Sequence, residues 1–218
     1  MQNVRRRTGA ERPDKLDVAQ RRSRGRPRAF DRDKALDAAM RLFWQKGFAA
    51  TSISDLTDAM GIGSPSLYAA FGSKEALYAE ALRRFTELGV PLIWAPLEEE
   101  PSARKAVEAY LLAVAANFPV TSDKPAGCMV TLSAVGQEGC ETLGELVASY
   151  RREGMRRLEA RLSRAVREGE LPPGTDTAAL ARFFLAVQQG MAIQARDGAS
   201  RAELESIALA AMERWPRA

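Results

Sequence analysis

The chain has 218 residues, of which 46% are hydrophobic and 28% charged, a composition typical of a folded globular protein. It contains no histidine, which excludes Ser-His-Asp and Cys-His catalysis and the most common zinc sites. The sequence has no GxxxxGKS/T motif, no GxGxxG between a strand and a helix, and no CxxC pair. It therefore predicts a protein that is not an enzyme and that holds no cofactor and no metal.

Charge is unevenly distributed along the chain. Residues 1–28 carry ten basic and three acidic side chains, whereas the whole chain has a net charge of only +4, so the remainder is slightly acidic. A basic arm on a mildly acidic body predicts a polyanionic partner at one end of the protein. The N-terminus has no apolar signal segment and no apolar run is long enough to cross a bilayer, which predicts a cytoplasmic protein without a membrane partner.

Helical periodicity runs through nearly all of the chain after Phe30 and strand signals are absent, so we predict an all-α fold. Apolar residues spaced i, i+3, i+4 and i+7 between Leu36 and Phe43 predict a first helix over 31–46. Glycine and proline residues between 89 and 101 interrupt the pattern and predict a joint. The other helices are predicted over 52–60, 64–71, 74–88, 102–118, 125–138 and 141–168, with two more closing the chain.

Residues 52–71 have the pattern of a helix-turn-helix, in which the second helix enters the major groove of DNA. Ser52 and the residue three positions later predict a capping box, and Gly61 permits the tight turn. Ser64 is predicted to cap the second helix, because Pro65 suits the first helical position. The outer side of this second helix is then free to contact DNA.

The segment TSISDLTDAMGIGSPSLYAAFGSKEALYAEAL (51–82), preceded by ALDAAMRLFWQKGFAA, resembles the DNA-binding domain of TetR/AcrR-type transcriptional regulators. The resemblance covers about residues 26–82 and includes F-x-x-K-G-F/Y, T-S/T-I-x-D and L-Y-x-x-F-x-S-K-E-x-L. It implies that Thr51, Tyr68 and Lys74 contact backbone phosphates and that Ser66 lies near bases or phosphate. The sequence departs from the family pattern where many members have a basic residue or histidine, here Ser64, Ala69 and Ala70.

A basic arm directly precedes the first predicted helix, at the position where homeodomain-type arms enter a minor groove. Its Arg-Gly-Arg-Pro sequence also resembles an AT-hook core. The arm either contacts DNA or is a disordered basic leader. For residues 1–23 we predict a disordered leader. The predicted DNA-contacting residues are Arg24, Arg26, Arg28, Thr51, Ser52, Ser64, Ser66, Tyr68 and Lys74.

The predicted domains are a helix-turn-helix domain with its arm over 24–73 and a helical effector-binding and dimerisation domain over 74–218. Apolar stripes on the last two helices predict a homodimer interface, although the same stripes would also close a monomer core. The family resemblance implies a small-molecule pocket in the second domain, and ordinary core packing is the alternative for each apolar member. The candidate ligand-binding residues are Trp94, Tyr110, Phe118, Cys128, Met129, Met155, Phe184 and Gln188.

The function predicted from these features is a ligand-responsive repressor, released from a palindromic double-stranded DNA operator by a small-molecule inducer. An alternative is a thiol-based sensor, because GCMVTLSA (127–134) resembles a helix start in family members that sense electrophiles and oxidants. If 128–140 is one helix, Cys128 and Cys140 are ~18 Å apart and cannot form a disulfide within a subunit. Two rival functions are an enzyme using Asp, Glu, Lys or Cys, and an architectural DNA-binding protein.

Seven arginines between 151 and 167 lie on the long predicted helix over 141–168. They form either a second nucleic-acid patch or a solvated face balanced by Glu153, Glu159 and Glu168 at helical spacing.

Overall fold

A computed structural model describes residues 31–216, apart from the side chain of Val90. Within this range the chain forms ten α-helices and no β-strand, as the sequence predicts. No helix in this range combines the length and apolar character that a membrane crossing requires. The helices are α1 (Arg32–Lys46), α2 (Ile53–Met60), α3 (Ser64–Phe71), α4 (Lys74–Ile93), α5 (Ala95–Glu99), α6 (Ala103–Asn117), α7 (Met129–Leu132), α8 (Glu141–Arg167), α9 (Thr177–Arg196) and α10 (Arg201–Met212).

Local capping signals set the ends of the first helices. The capping box of α2 is present, because the Ser52 hydroxyl accepts from the Asp55 amide and the Asp55 carboxylate accepts from the Ser52 amide. Gly61 ends α2 in the left-handed conformation, with φ of 66°, which glycine adopts without a steric cost. The predicted cap of α3 is wrong: Gly63 is the N-cap and Ser64 is already the first helical residue.

The first four helices share one apolar cluster, called here the N-terminal core. Its centre includes the fully buried Leu56 and Leu67, which hold α2 and α3 at a fixed angle. The first half of α4 contributes Leu77 and Leu82, so this helix belongs to the same packing unit as the helix-turn-helix. Four residues from later in the chain complete the cluster: Met129, Val135, Leu143 and Val147.

The predicted helix end at residue 88 is wrong, because α4 continues through Gly89 and Pro91 to Ile93; the predicted interruption lies further on, between Ile93 and Ala103, where only the short α5 is helical. Proline inside a helix has no N–H to donate, so Pro91 removes the backbone hydrogen bond that the carbonyl of Glu87 would accept. The helix is held to its end by packing, since Ile93 and the following Trp94 lie against a second apolar cluster. Tertiary packing therefore overrides the local breaker signals.

The second cluster, called here the C-terminal core, is built from α5, α6, α8, α9 and α10. Its fully buried members include Tyr110, Leu158, Leu162 and Phe184. The capping box predicted for the last helix is present between Ser200 and Glu203. The two closing helices pack extensively against the rest of this core, α9 on α8 and α10 on α6.

The helix predicted over 125–138 is wrong, because only the four residues of α7 are helical there. Residues 128–140 are called here the 128–140 segment, and outside α7 they form turns and irregular backbone. Arg151 on α8 replaces the missing helical hydrogen bonds: its guanidinium donates to the carbonyls of Val130, Thr131 and Ser133 at 2.7 to 3.1 Å. The distance expected between two thiols on one helix therefore does not apply.

Candidate DNA-binding surface and ligand cavity

The outer face of α3 is polar, uncharged and open to solvent. Leu67 and Phe71 are buried on the inner face, which fixes the rotation of the helix. Ser64 and Ser66 are exposed at its first turn, and the phenol of Tyr68 is 48% exposed. An exposed aromatic ring beside free hydroxyls has the dimensions and hydrogen-bonding groups to meet a phosphate or a base edge.

The residues at the start of α2 have different surroundings. Ser52 is exposed, with its hydroxyl 2.8 Å from the carboxylate of Asp55. The hydrogen bond from the Ser52 amide, together with the ammonium of Lys46 at 3.0 Å, lowers the pKa of Asp55 to about 2. Thr51 is fully buried, and its hydroxyl donates to the carbonyl of Gly47 at 2.6 Å. The structure thus places Ser52 at the surface and Thr51 beneath it.

Lys74 begins α4 next to the helix-turn-helix. Its ammonium lies 4.3 Å from the centre of the Phe48 ring, a cation–π contact that orients the side chain. Arg32 braces the other side of the motif, because its guanidinium contacts both carboxylate oxygens of Glu80 at 2.8 Å and lies over Phe71. The predicted arm residues Arg24, Arg26 and Arg28 lie outside the described residues.

A cavity of about 470 Å³ lies in the C-terminal part of the chain, in contact with α4, α8 and α9. This is within the usual range for small-molecule sites in proteins. Most of its wall is apolar and aromatic. The lining residues are Phe85, Thr86, Glu87, Gly89, Pro91, Ile93, Trp94, Phe118, Cys128, Val130, Thr131, Tyr150, Arg151, Glu153, Gly154, Arg157, Leu185, Gln188 and Gln189.

Half of the eight candidate ligand-binding residues line this cavity: Trp94, Phe118, Cys128 and Gln188. The other four are packed elsewhere: Tyr110 and Phe184 are fully buried in the C-terminal core, Met155 packs against that core, and Met129 belongs to the N-terminal core. Sequence reasoning missed most of the wall, including Phe85, Tyr150 and Leu185. Helical periodicity assigns such residues to an inward face, but it does not distinguish a packed face from one that borders a cavity.

Three of the four charged groups of the cavity wall, those of Arg151, Glu153 and Arg157, are engaged by the protein itself, whereas Glu87 is exposed. The carboxylate of Glu153 contacts Arg156 and Arg157 at 2.7 to 2.9 Å. The hydrogen bond from Arg156 comes first among the causes that lower the pKa of Glu153 to about 2. This pairing favours the solvated-face alternative for Arg156 and Arg157, but not for Arg161, which is buried and donates to the carbonyl of Pro101 at 2.8 Å. Arg151 donates to backbone carbonyls, as described above.

Both cysteines are free thiols and half-buried. Cys128 is the N-cap residue of the four-residue α7 and lines the cavity, whereas Cys140 is the N-cap residue of α8. They lie at opposite ends of the 128–140 segment and belong to different apolar clusters.

The 128–140 segment also contacts two elements that adjoin the helix-turn-helix, α4 and the turn between α1 and α2. The hydroxyl oxygens of Ser133 and Tyr78 are 2.8 Å apart, and the carboxylate of Glu138 accepts from the amide of Ala49. From the end of α9, Arg196 donates to the carbonyl of Trp44 at 2.6 Å. The 128–140 segment therefore contains both residues that line the cavity and residues that contact the elements adjoining the helix-turn-helix.

The last two helices leave an apolar surface uncovered. On α9, Phe183 is 38% exposed and Ile193 is 53% exposed, and on α10 Leu209 is 52% exposed. Alanine and glycine at intervening positions of α9, such as Ala186 and Gly190, keep this face flat.

Comparison with known proteins identifies the family. Residues 35–81 match the family model described as "Bacterial regulatory proteins, tetR family". Over 202 residues the chain is 41% identical to the HTH-type transcriptional repressor ComR of Escherichia coli (strain K12), covering 90% of this chain and 94% of that protein. The chain belongs to the TetR family. This confirms the predicted family and the predicted all-α fold.

Two further similarities agree with TetR-family membership. The HTH-type transcriptional repressor BdcR of Escherichia coli (strain K12) is 43% identical over 117 residues, 52% of this chain and 58% of that protein. A structure of the TetR-family regulator CifR, as a cysteine mutant with a 26-bp operator DNA, has a TM-score of 0.82 and 39% identity, covering 88% of this chain and all of that one. These relatives do not favour the thiol-sensing alternative for this chain.

Proposed function

We propose that the protein is a repressor that binds a near-palindromic operator as a homodimer and leaves it when a small molecule fills the cavity. The observation that carries this proposal is the exposed polar face of α3, held in place by the buried Leu67 and Phe71. Two relatives support it: ComR is named a transcriptional repressor, and CifR was solved on a 26-bp operator duplex. A DNA target also agrees with the cytoplasmic location expected from the sequence.

For DNA contact we propose Ser64, Ser66 and Tyr68 on α3, with Ser52 and Lys74 on either side of the motif. The exposed hydroxyls suit short hydrogen bonds, and the ammonium of Lys74 suits a phosphate. Since Thr51 is buried, we propose that it acts by fixing the loop before α2 through its bond to Gly47. For Arg24, Arg26 and Arg28 we keep the prediction of minor-groove contact.

We propose that the dimer forms through the apolar face on α9 and α10. Burying Phe183, Ile193 and Leu209 against a second copy would remove three exposed apolar side chains from water, the main source of stability in such interfaces. The functional division is then 24–73 for DNA binding and 74–218 for effector binding and dimerisation. The α4 helix is shared, because its first half packs with the DNA-binding motif.

We propose that the effector acts through the 128–140 segment and α4, since both border the cavity, α4 packs with the helix-turn-helix, and the segment bonds to α4 and to the turn before α2. An effector releases DNA only to the extent that it binds the non-operator conformation more tightly than the operator-bound one. Movement of Val130 and Thr131 around a ligand would be transmitted to the contacts of Ser133 and Glu138.

The test is selection of binding sites from a randomised duplex library with the purified full-length protein. We expect an inverted repeat whose half-site centres are ~34–36 Å apart or a multiple of that spacing. Tyr68→Ala should weaken binding to the selected duplex at least ten-fold, whereas Tyr150→Ala, in the cavity wall, should leave it nearly unchanged. Recovery of no preferred sequence, or equal binding by Tyr68→Ala, would refute the proposal.

A further inference from the structure

Gln188 is a polar side chain of the cavity wall that the fold leaves without a partner. It is only 6% exposed, and its amide makes no hydrogen bond to the part of the chain that the structure describes. A primary amide offers two donors and two acceptor lone pairs, and burying them unsatisfied is unfavourable. Gln188 lines the cavity, and its amide is not among the fully enclosed polar groups that lack a partner, so the amide is accessible from the cavity and can bond with a ligand there.

The ionised groups of the wall point to an uncharged ligand. A carboxylate entering beside Arg151 would compete with three backbone carbonyls and leave them without a donor. An ammonium would need an available carboxylate, but that of Glu153 already contacts two arginines. Glu87 is exposed, where water weakens its attraction for a cation.

The environment behind the wall also disfavours charge. Tyr110 packs against Trp94 with ring centres 4.9 Å apart, and its hydroxyl is buried without a partner among the described residues. Burial raises the pKa of Tyr110 well above its usual value. The same loss of hydration would penalise an ionised group of a ligand that lies against Trp94.

Aromatic rings from four different parts of the chain border the cavity: Phe85, Trp94, Phe118 and Tyr150. Aromatic rings pack favourably in offset or edge-to-face contact with other rings. A volume of about 470 Å³ accommodates a bicyclic aromatic molecule with one polar substituent.

We infer that the effector is an uncharged aromatic molecule with one carbonyl or carboxamide group, which pairs with the amide of Gln188. This rests on the proposed function, because it assigns a chemical class to the effector of that same cavity. Apolar and aromatic contacts supply most of the affinity, and Gln188 sets the orientation and the polar specificity. Neutral ligands are accepted because they leave the bonds of Arg151 and Glu153 intact.

The experiment compares three probes of equal size and different charge on the full-length protein by isothermal titration calorimetry: 2-naphthamide, 2-naphthoate and 2-naphthylmethylammonium. We expect 2-naphthamide to bind at least ten-fold more tightly than either ion. Tighter binding of an ion, or no binding by any of the three, would overturn the inference.

Two substitutions at one position test the role of Gln188. Gln188→Leu should weaken the binding of 2-naphthamide about five- to ten-fold, as expected for one lost hydrogen bond. Gln188→Glu should move the preference toward 2-naphthylmethylammonium, a change that a purely structural role would not produce. Gln45→Leu, at an exposed position on α1 outside the cavity wall, is the matched control and should leave all three affinities unchanged.

Binding of each variant to the selected duplex, measured without any probe, reports separately on folding and on DNA recognition. If the Gln188→Leu variant binds the duplex normally and also keeps full affinity for 2-naphthamide, this inference is overturned and the proposed function stays intact. A wild-type protein that binds 2-naphthamide selectively but no duplex contradicts the proposed function and leaves the ligand class supported.

Discussion

The carboxylate of Glu138 accepts a hydrogen bond from the backbone amide of Ala49, at 3.1 Å and across 89 positions of sequence. Ala49 lies in the turn between α1 and α2, directly before the helix-turn-helix. Glu138 lies in the 128–140 segment, whose first residues border the ligand cavity. One hydrogen bond thus connects the support of the DNA-binding motif to a segment that a ligand would touch.

Removal of this bond should loosen the turn before α2. We expect Glu138→Ala to speed amide hydrogen exchange at Ala49, since the amide loses its acceptor, with a loss of about 0.5–1.5 kcal/mol in unfolding free energy. Glu138→Gln keeps an acceptor oxygen and should retain most of the protection. The exchange rates are measured by NMR, and equal rates in wild type and Glu138→Ala would show that the bond is not formed in solution.

Arg151 should be one of the most sensitive positions on α8. Arg151→Met keeps the apolar stem but removes every donor to the 128–140 segment, and we expect a loss of about 2–4 kcal/mol in urea unfolding. Among the described residues the neighbouring Arg152 is exposed and pairs only with Glu145, so Arg152→Met should cost less than about 0.5 kcal/mol. Similar losses for the two variants would contradict the role assigned to Arg151.

The capping box of α2 should make stability depend on acid pH. The pKa of Asp55 falls from its usual 3.8 to about 2 in the folded protein, so its contribution is complete above pH 4 and is lost as the pH falls toward 2. Asp55→Asn should therefore reduce the slope of unfolding free energy against pH in that window. Asp58→Asn, on the same helix and at an exposed position, is the control and should keep the wild-type slope.

Gly154 provides the space in which the Trp94 ring lies against α8. A Cβ at this position would lie 3.0 Å from Cη2 of Trp94, closer than normal packing allows. Gly154→Ala should therefore displace the indole, which a shift in tryptophan fluorescence would report, together with weaker binding of aromatic probes. Gly89→Ala has open space around its Cβ and should instead stabilise the protein by up to about 1 kcal/mol. An unchanged Trp94 signal in Gly154→Ala would contradict this account.

The proposed dimer face can be tested with a single charge. Ile193→Lys places an ammonium on the apolar face of α9 and should convert the protein to a monomer in sedimentation velocity experiments. Leu92→Lys makes the same change at a position that is 60% exposed on α4, away from that face, and should leave a dimer. Dimers in both variants would rule out this surface as the interface.

Helices whose signals are local could be predicted from the sequence. The capping boxes at Ser52 and Ser200, the left-handed glycine at position 61 and the apolar spacing of α1 all act within a few residues. The same reasoning located the helix-turn-helix, because the buried faces of α2 and α3 follow directly from Leu56, Leu67 and their neighbours.

Features that depend on distant residues were not predictable. The 128–140 segment has a helical pattern, but Arg151 offers its carbonyls a different donor. Breaker residues near Pro91 predicted a joint, but packing of Trp94 against the C-terminal core carries α4 past them. Likewise, helical periodicity predicts that Tyr110 and Gln188 both face inward. It does not distinguish the fully buried Tyr110 from the cavity-lining Gln188, because it contains no information about empty volume.

The contact between Lys74 and Phe48 has a consequence for how the protein meets its target. The Phe48 ring packs edge-on against Tyr78, whose hydroxyl contacts that of Ser133. The ammonium of Lys74 therefore lies over a pair of rings that packing holds in place. A lysine normally loses side-chain freedom when it docks on a polyanion, but here much of that entropy is already lost in the free protein. Phe48 should therefore influence the entropy of operator binding without ever touching the duplex.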